Sequence, residues 1–141
     1  MNSAYLRPML ISDYQAVFSL WLATEGMELI EDDNEAGIAL YLQRNPCTCL
    51  VAEFQGEVVG SLLCGHDGRR AILRHLAIRN DFRGQGIARQ LVETCMDALT
   101  AEGIRRCNLF VLDNNPTGAA FWAYLGWLKL PDNYQTLQRM V

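Results

Sequence analysis

The sequence predicts a mixed α/β domain built on a single sheet, and three observations carry that prediction. Three strand-like runs, residues 49–54, 58–64 and 71–78, are joined by short turns, which makes an antiparallel meander. An apolar stripe at helical spacing follows, with Ile87, Leu91, Cys95 and Leu99 thickened by Ala88, Val92 and Met96. It leads into another strand over 106–111, and a helical crossover of this kind joins parallel strands. The chain has 141 residues, half of them hydrophobic, enough for one domain (1–141) with its own core.

Each element has a local reason. Residues 4–7 read as a short strand before Pro8. Ser12 with Gln15 three positions on is a capping box, and Val17, Phe18, Trp21 and Leu22 recur at the spacing of a buried helix face. Gly26 interrupts that pattern, and an irregular acidic segment runs through Glu25, Glu28, Glu31, Asp32 and Asp33. A second helix is predicted over 35–44, stopped by Asn45-Pro46. Gln55-Gly56 is a hairpin turn, and residues 65–70, Gly-His-Asp-Gly-Arg-Arg, form the next turn. The stripe predicts a helix over 87–102, with Gly103 as its stop. After the strand at 106–111 come a loop at 113–116, a short helix at 117–125 closed by Gly126, and final strand segments at 127–130 and 136–141.

Composition excludes several classes. Sixteen acidic residues against twelve basic ones give a net charge of −4. That argues against generic binding to nucleic acid or an anionic membrane, which needs a basic face. No apolar run approaches the ~20 residues of a membrane span. The N-terminal segment, Met1 to Pro8, lacks the basic start and apolar block of a signal peptide. Five cysteines without paired Cys-x-x-Cys spacing favour neither a disulfide framework nor a metal site. Cys47 and Cys49 are expected on one face of a strand. Free thiols in the apolar pattern indicate a cytoplasmic location.

The most informative stretch is Phe82-Arg83-Gly84-Gln85-Gly86-Ile87-Ala88. It links a strand to a helix, and its glycines let main-chain N–H groups approach a ligand at the positive end of the helix dipole. Arg83 adds a charge able to pair with phosphate. An ordinary glycine-rich turn fits the same local sequence. A Walker-type loop is excluded, because no Gly-Lys-Ser/Thr ending is present. A dinucleotide fingerprint lacks its third glycine, whose place Arg89 takes, although Asp113 follows the next strand. The element order argues against that fold too, which needs repeated βαβ units.

Arg83-x-x-Gly86-x-Ala88 resembles the pyrophosphate loop of the GCN5-related N-acetyltransferases, whose element order is also the one predicted here. Asn115, Gly118, Trp122, Gly126 and Trp127 match the family's spacing after its last central strand, and His75-Leu76-Ala77-Ile78 resembles the strand that pairs with the pantetheine arm. The matches cover residues 50–127. The resemblance implies a mixed central sheet with helices on both faces. Its two parallel strands, here ending at Ile78 and Val111, splay apart so that a coenzyme completes the sheet. It implies acetyl-coenzyme A as cosubstrate, held by Leu76, Ala77, Ile78, Arg83, Gly84, Gln85, Gly86, Ile87, Ala88, Asn115 and Trp122, with no metal. Asn115 reads equally as a turn or helix-cap residue.

The implied reaction is direct acetyl transfer to an amine, of a small molecule or a protein N-terminus, within a ternary complex. The family's usual base is a glutamate near the strand before the phosphate loop, but Arg74 stands in its commonest place. Candidate bases are His75 and Glu28, with His66 and Asp67 nearby in the pattern. His75 is expected to share a sheet face with Leu73 and Ala77. An imidazole is a competent base at neutral pH, and a packed histidine fits the same position. Glu28, Glu31 and Asp32, with His66 and Asp67, are the candidate acceptor residues. Negative charge there would attract a cationic amine, and a solvated loop fits equally. Many relatives have a tyrosine proton donor where Trp122 stands. The expected assembly is a monomer or homodimer, without nucleic-acid or membrane partners. The alternative function is a non-catalytic acyl-coenzyme A sensor, which a missing base and a missing proton donor would both favour.

Overall fold

In the computed structural model, which describes residues 4–131 and 134–141, five strands form one sheet in sequence order. They are β1 (Tyr5–Pro8), β2 (Leu50–Phe54), β3 (Glu57–His66), β4 (Arg70–Ile78) and β5 (Arg106–Asn108). The first four pair antiparallel, and β4 pairs parallel with β5. The start of the N-terminal segment, residues 1–3, lies outside the described residues. Gln55 (φ 51) and Gly56 (φ 80) are both left-handed, the geometry that matches a two-residue hairpin to strand twist.

Tertiary contacts divide the chain into two compact units, Met1–Leu109 and Phe110–Val141. In the first, α1 (Tyr14–Leu22) and α2 (Glu35–Arg44) cover one sheet face, where Val17, Trp21, Ile38, Val51, Leu63 and Ala77 share a core. The long helix α3 (Ile87–Ala101) covers the other, burying Ile87, Leu91, Val92, Cys95 and Leu99. Gly60 lies against that helix: a Cβ there would meet side chains of Ile78, Ala52 and Ile87.

The helix α1 begins differently from the sequence expectation. Residues Ile11–Asp13 form a 3-10 turn, and the N–H of Leu10 donates to the Asp13 carboxylate at 2.8 Å. Asp13 displaces the expected Ser12–Gln15 box because its carboxylate also accepts two hydrogen bonds from Arg7. The Arg7 guanidinium holds the Asp13 carboxyl below its usual range, and it also bridges to Glu53 on β2. Tyr14, Val17, Leu20 and Trp21 form the buried stripe, while Leu22 is 66% exposed. Leu22 lies ~200° around the helix from Leu20, so both cannot face the core.

Two further expectations change. Cys47 and Cys49 fall in the turn before β2, Cys47 exposed and Cys49 buried, so they do not share a strand face. Burial pushes the Cys49 thiol up to about 11. The strand expected over 106–111 stops at Asn108, where its ladder with β4 ends.

In the second unit, α4 (Pro116–Tyr124) starts with proline at its first turn. The Asn115 side chain caps it, accepting from the N–H of Gly118 at 2.9 Å. The Trp122 ring packs edge-on against Phe121 and Trp127. The final strand segments predicted at 127–130 and 136–141 do not form among the described residues. Leu128, Leu137 and Met140 are exposed, and no described ladder takes up their main-chain groups. An apolar alternation makes a strand only when a partner accepts its hydrogen bonds.

Candidate active site

The strand β4 is irregular where the chemistry is expected. Its register with β3 jumps from Ser61↔Ala77 to Leu63↔Arg74, and His75 has a left-handed backbone (φ 52). One extra residue is inserted at His75-Leu76, which is a β-bulge. A bulge inverts side-chain alternation on one side of it. Leu73 therefore lies opposite Cys64, which meets Cys95 of α3, while Ala77 belongs to the core under α1. The plain alternation that gave Leu73 and His75 one face fails for this reason.

His75 turns toward α1 and the 3-10 turn Glu31–Asp33. Its Nε2 lies 2.9 Å from Asp33 Oδ1, and its ring meets Trp21 edge-on at 4.9 Å. Asp33 closes the 3-10 turn Glu31–Asp33 and is only 9% exposed. Its other carboxylate oxygen accepts the N–H of Ile30 at 2.9 Å, and its carbonyl accepts from the Tyr14 hydroxyl at 2.7 Å. Burial raises the Tyr14 phenol, which keeps it a donor. A carboxylate oxygen accepts, so Nε2 is the donor side of this contact and Nδ1 is the ring nitrogen turned away from Asp33. In the adjoining indole, Trp21 Nε1 is buried and has no partner among the described residues.

Beyond the bulge, β4 ends in the glycine-rich loop. Pairing with β5 covers only Arg70, Ala71 and Ile72, so β4 from Arg74 to Ile78 has no strand partner on that edge among the described residues. Gly84 (φ 75) and Gly86 (φ 83) are left-handed, and a Cβ on either would meet open space. Gly86 starts α3 without a side-chain cap, and no acidic residue sits in the first turn. Arg83 Nε donates to the Ile78 carbonyl at 3.0 Å. Phe82 packs at a tilt against Phe54 and lies under the Arg79 guanidinium, which fixes the loop's base. The loop thus offers main-chain donors and open space beside an unpaired strand edge.

The model of the acetyltransferase (GNAT) family matches residues 9–127. The chain belongs to that family. It is 38% identical over 105 residues to an acetyltransferase of Pectobacterium atrosepticum, covering 73% of this chain and 72% of that one. Among solved structures, the fold resembles Ard1 from Thermoplasma volcanium (TM-score 0.79, 19% identity, 90% of this chain and 84% of that one). It also resembles the PaiA N-acetyltransferase of Thermoplasma acidophilum in complex with coenzyme A (TM-score 0.78, 18% identity, 94% of each chain). The mixed α/β architecture predicted from sequence is therefore the GNAT fold.

Within this GNAT chain the structure brings some expected residues together and separates others. Residues Leu76 to Ile78 and Arg83 to Ala88 adjoin through the end of β4. Glu28, Glu31 and Asp32 are exposed on the segment leading into Asp33. His66 and Asp67 lie at the opposite end of β4, committed to the turn there: His66 bonds Glu102 and Gly68, and Asp67 accepts from Arg69 and Arg70. Asn115 and Trp122 belong to the second unit. Asp33 was legible only as one of a run of acidic residues. Its one distinguishing signal is position, immediately before Asn34, whose side chain accepts from Gly37 to cap α2.

Proposed function

We propose that this chain is an N-acetyltransferase that moves an acetyl group from acetyl-coenzyme A to a cationic amine, of a small molecule or a protein N-terminus, within a ternary complex. The observation that carries this reading is the His75–Asp33 pair at the bulge of an unpaired strand edge. The coenzyme fits the residues present: the open loop at Gly84 and Gly86, the uncapped start of α3, and the free edge of β4. The Leu76–Ile78 main chain would take its amide arm, and Arg83 with the loop N–H groups its pyrophosphate.

When bound, acetyl-coenzyme A supplies an acyl thioester with a thiol as leaving group. The chain's own residues prepare the amine. A lysine-type amine near pKa ~10.4, or an α-amine near ~7.8, must lose a proton before it is nucleophilic. Nδ1 of His75 takes that proton, and Asp33 holds the ring orientation and balances the imidazolium formed. Trp21 excludes water from one side of the ring. Exposed Glu28, Glu31 and Asp32 draw the cationic acceptor toward the site. A missing base would favour the sensor alternative, and the His75–Asp33 pair supports the catalytic reading instead.

The test is release of free coenzyme A thiol from acetyl-coenzyme A across a panel of amines, polyamines, amino acids and N-terminal peptides. Turnover with a cationic acceptor, lost in His75→Gln, supports the proposal. Tight coenzyme binding without turnover on any acceptor would leave the sensor reading.

A further inference from the structure

The two parallel strands are each entered through an Arg-Arg dipeptide. Gly68-Arg69-Arg70 leads into β4, and Gly103-Ile104-Arg105-Arg106 leads into β5. The parallel register pairs Arg70 directly with Arg106. Neighbouring strands stand ~4.8 Å apart, and like charges directly opposite one another are destabilising. Four arginines thus converge in a chain whose net charge is −4. With Gly68 and Gly103 they line a cavity of about 250 Å³.

Asp67 sets one carboxylate charge beside Arg69, fewer than four guanidiniums call for. None of Arg69, Arg70, Arg105 and Arg106 makes an ion pair with a described residue. The two carboxylates nearby in sequence make their hydrogen bonds to groups other than these guanidiniums. Asp67 Oδ1 accepts the main-chain N–H groups of Arg69 and Arg70. Glu102 bonds His66 at 2.8 Å. That last contact ties the turn before β4 to the end of α3, so both arginine-bearing segments are fixed to each other without an anion. Gly68 (φ 93) and Gly103 (φ 81) leave open space where a Cβ would stand, so a ligand can approach the main chain at both turns.

We propose that this cavity is a second anion site, for a compact multivalent phosphate of the di- or triphosphate class. Arginine forks pair bidentately with phosphate oxygens, and four of them match several charges at once. The volume falls just below the ~300–1,000 Å³ of drug-sized ligand clefts, which suits a compact anion, and the chain's net negative charge disfavours a polymeric nucleic acid. The site is separate from the phosphate loop. The nine residues of β4 lie between them, a span of ~26 Å at ~3.3 Å per residue. It does not depend on the acetyl-transfer reading.

Tripolyphosphate is the probe, titrated into the Arg83→Glu protein so that the phosphate loop is disabled. Amide shifts of Gly68 and Gly103 are followed by NMR and affinity by calorimetry. The expected result is one-to-one binding, weakening as salt rises, with shifts centred on those two glycines. Arg70→Ser with Arg106→Ser should weaken it about tenfold or more, and Arg69→Ser with Arg105→Ser should do the same in a second protein. All four side chains are exposed, so a melting curve matching the parent confirms folding. Absence of binding, unchanged affinity in both folded double variants, or shifts confined to the phosphate loop would overturn the proposal. Binding of a short RNA without any response to tripolyphosphate would overturn the assignment to a compact anion.

Discussion

His75 concentrates three unusual properties in one residue: a left-handed backbone, a buried carboxylate partner and a ring packed edge-on against an indole whose N–H has no partner among the described residues. A non-glycine residue in the left-handed region costs ~1–2 kcal/mol, so its neighbours must over-determine it. Asp33 and Trp21 do so. Asp33 is itself clamped by Ile30 and Tyr14, which makes it a positioning residue rather than a mobile ion-pair partner. Asp33→Asn tests this role. Its carboxamide can still accept from Ile30, but its NH₂ can donate to Nε2 and so favour the tautomer with the proton on Nδ1. The expected outcome is a fall in kcat of about a hundredfold, within the ~10²–10⁴ range of a positioned base. Coenzyme affinity and the acceptor KM should be unchanged. A merely structural Asp33 would lower the melting temperature and leave kcat of the folded protein intact.

The glycine loop and α3 act as one element, because the helix starts on Gly86 without a side-chain cap and the loop folds back through Arg83 to Ile78. Arg83→Glu should remove the thermal shift given by acetyl-coenzyme A while leaving the melting of the free protein nearly unchanged, since Arg83 is exposed. Gly86→Asp should abolish the shift as well, with a loss of ~1 kcal/mol in the free protein from its left-handed backbone. Equal shifts in both folded variants would locate the ligand elsewhere. This element was fully legible in sequence because glycine spacing, helical stripe and stop signal are local. So were α2, the β2–β3 hairpin and the parallel relation of β4 to β5. Three of the misses lay beyond what a local pattern can show. Arg7 recruited Asp13 and displaced the Ser12 box. The bulge at His75, invisible to a period-two pattern, set which face each β4 side chain takes. The final segment had the alternation of a strand but no described ladder to complete.

At the scale of the molecule, charge is segregated within the first unit although the total is only −4. Four arginines gather where β4 and β5 begin, while Glu25, Glu28, Glu31 and Asp32 sit on the exposed segment that ends at Asp33. Exposed carboxylates contribute little to stability and act instead through their summed field. That field reaches about a Debye length, ~8 Å at physiological ionic strength, so it matters for an acceptor approaching His75 and fades as salt rises. Replacing Glu28 and Glu31 with glutamine and Asp32 with asparagine should therefore raise the KM of a cationic acceptor about tenfold at low salt. The gap should close at high salt. Asp33 is left intact in this variant, so kcat at saturating acceptor should hold, and coenzyme affinity should hold because the phosphate loop is untouched. A neutral or anionic acceptor of similar size should show no rise. If the cationic acceptor's KM and salt dependence are the same before and after substitution, these carboxylates only solvate their loop and acceptor choice must reside in the buried surface around His75.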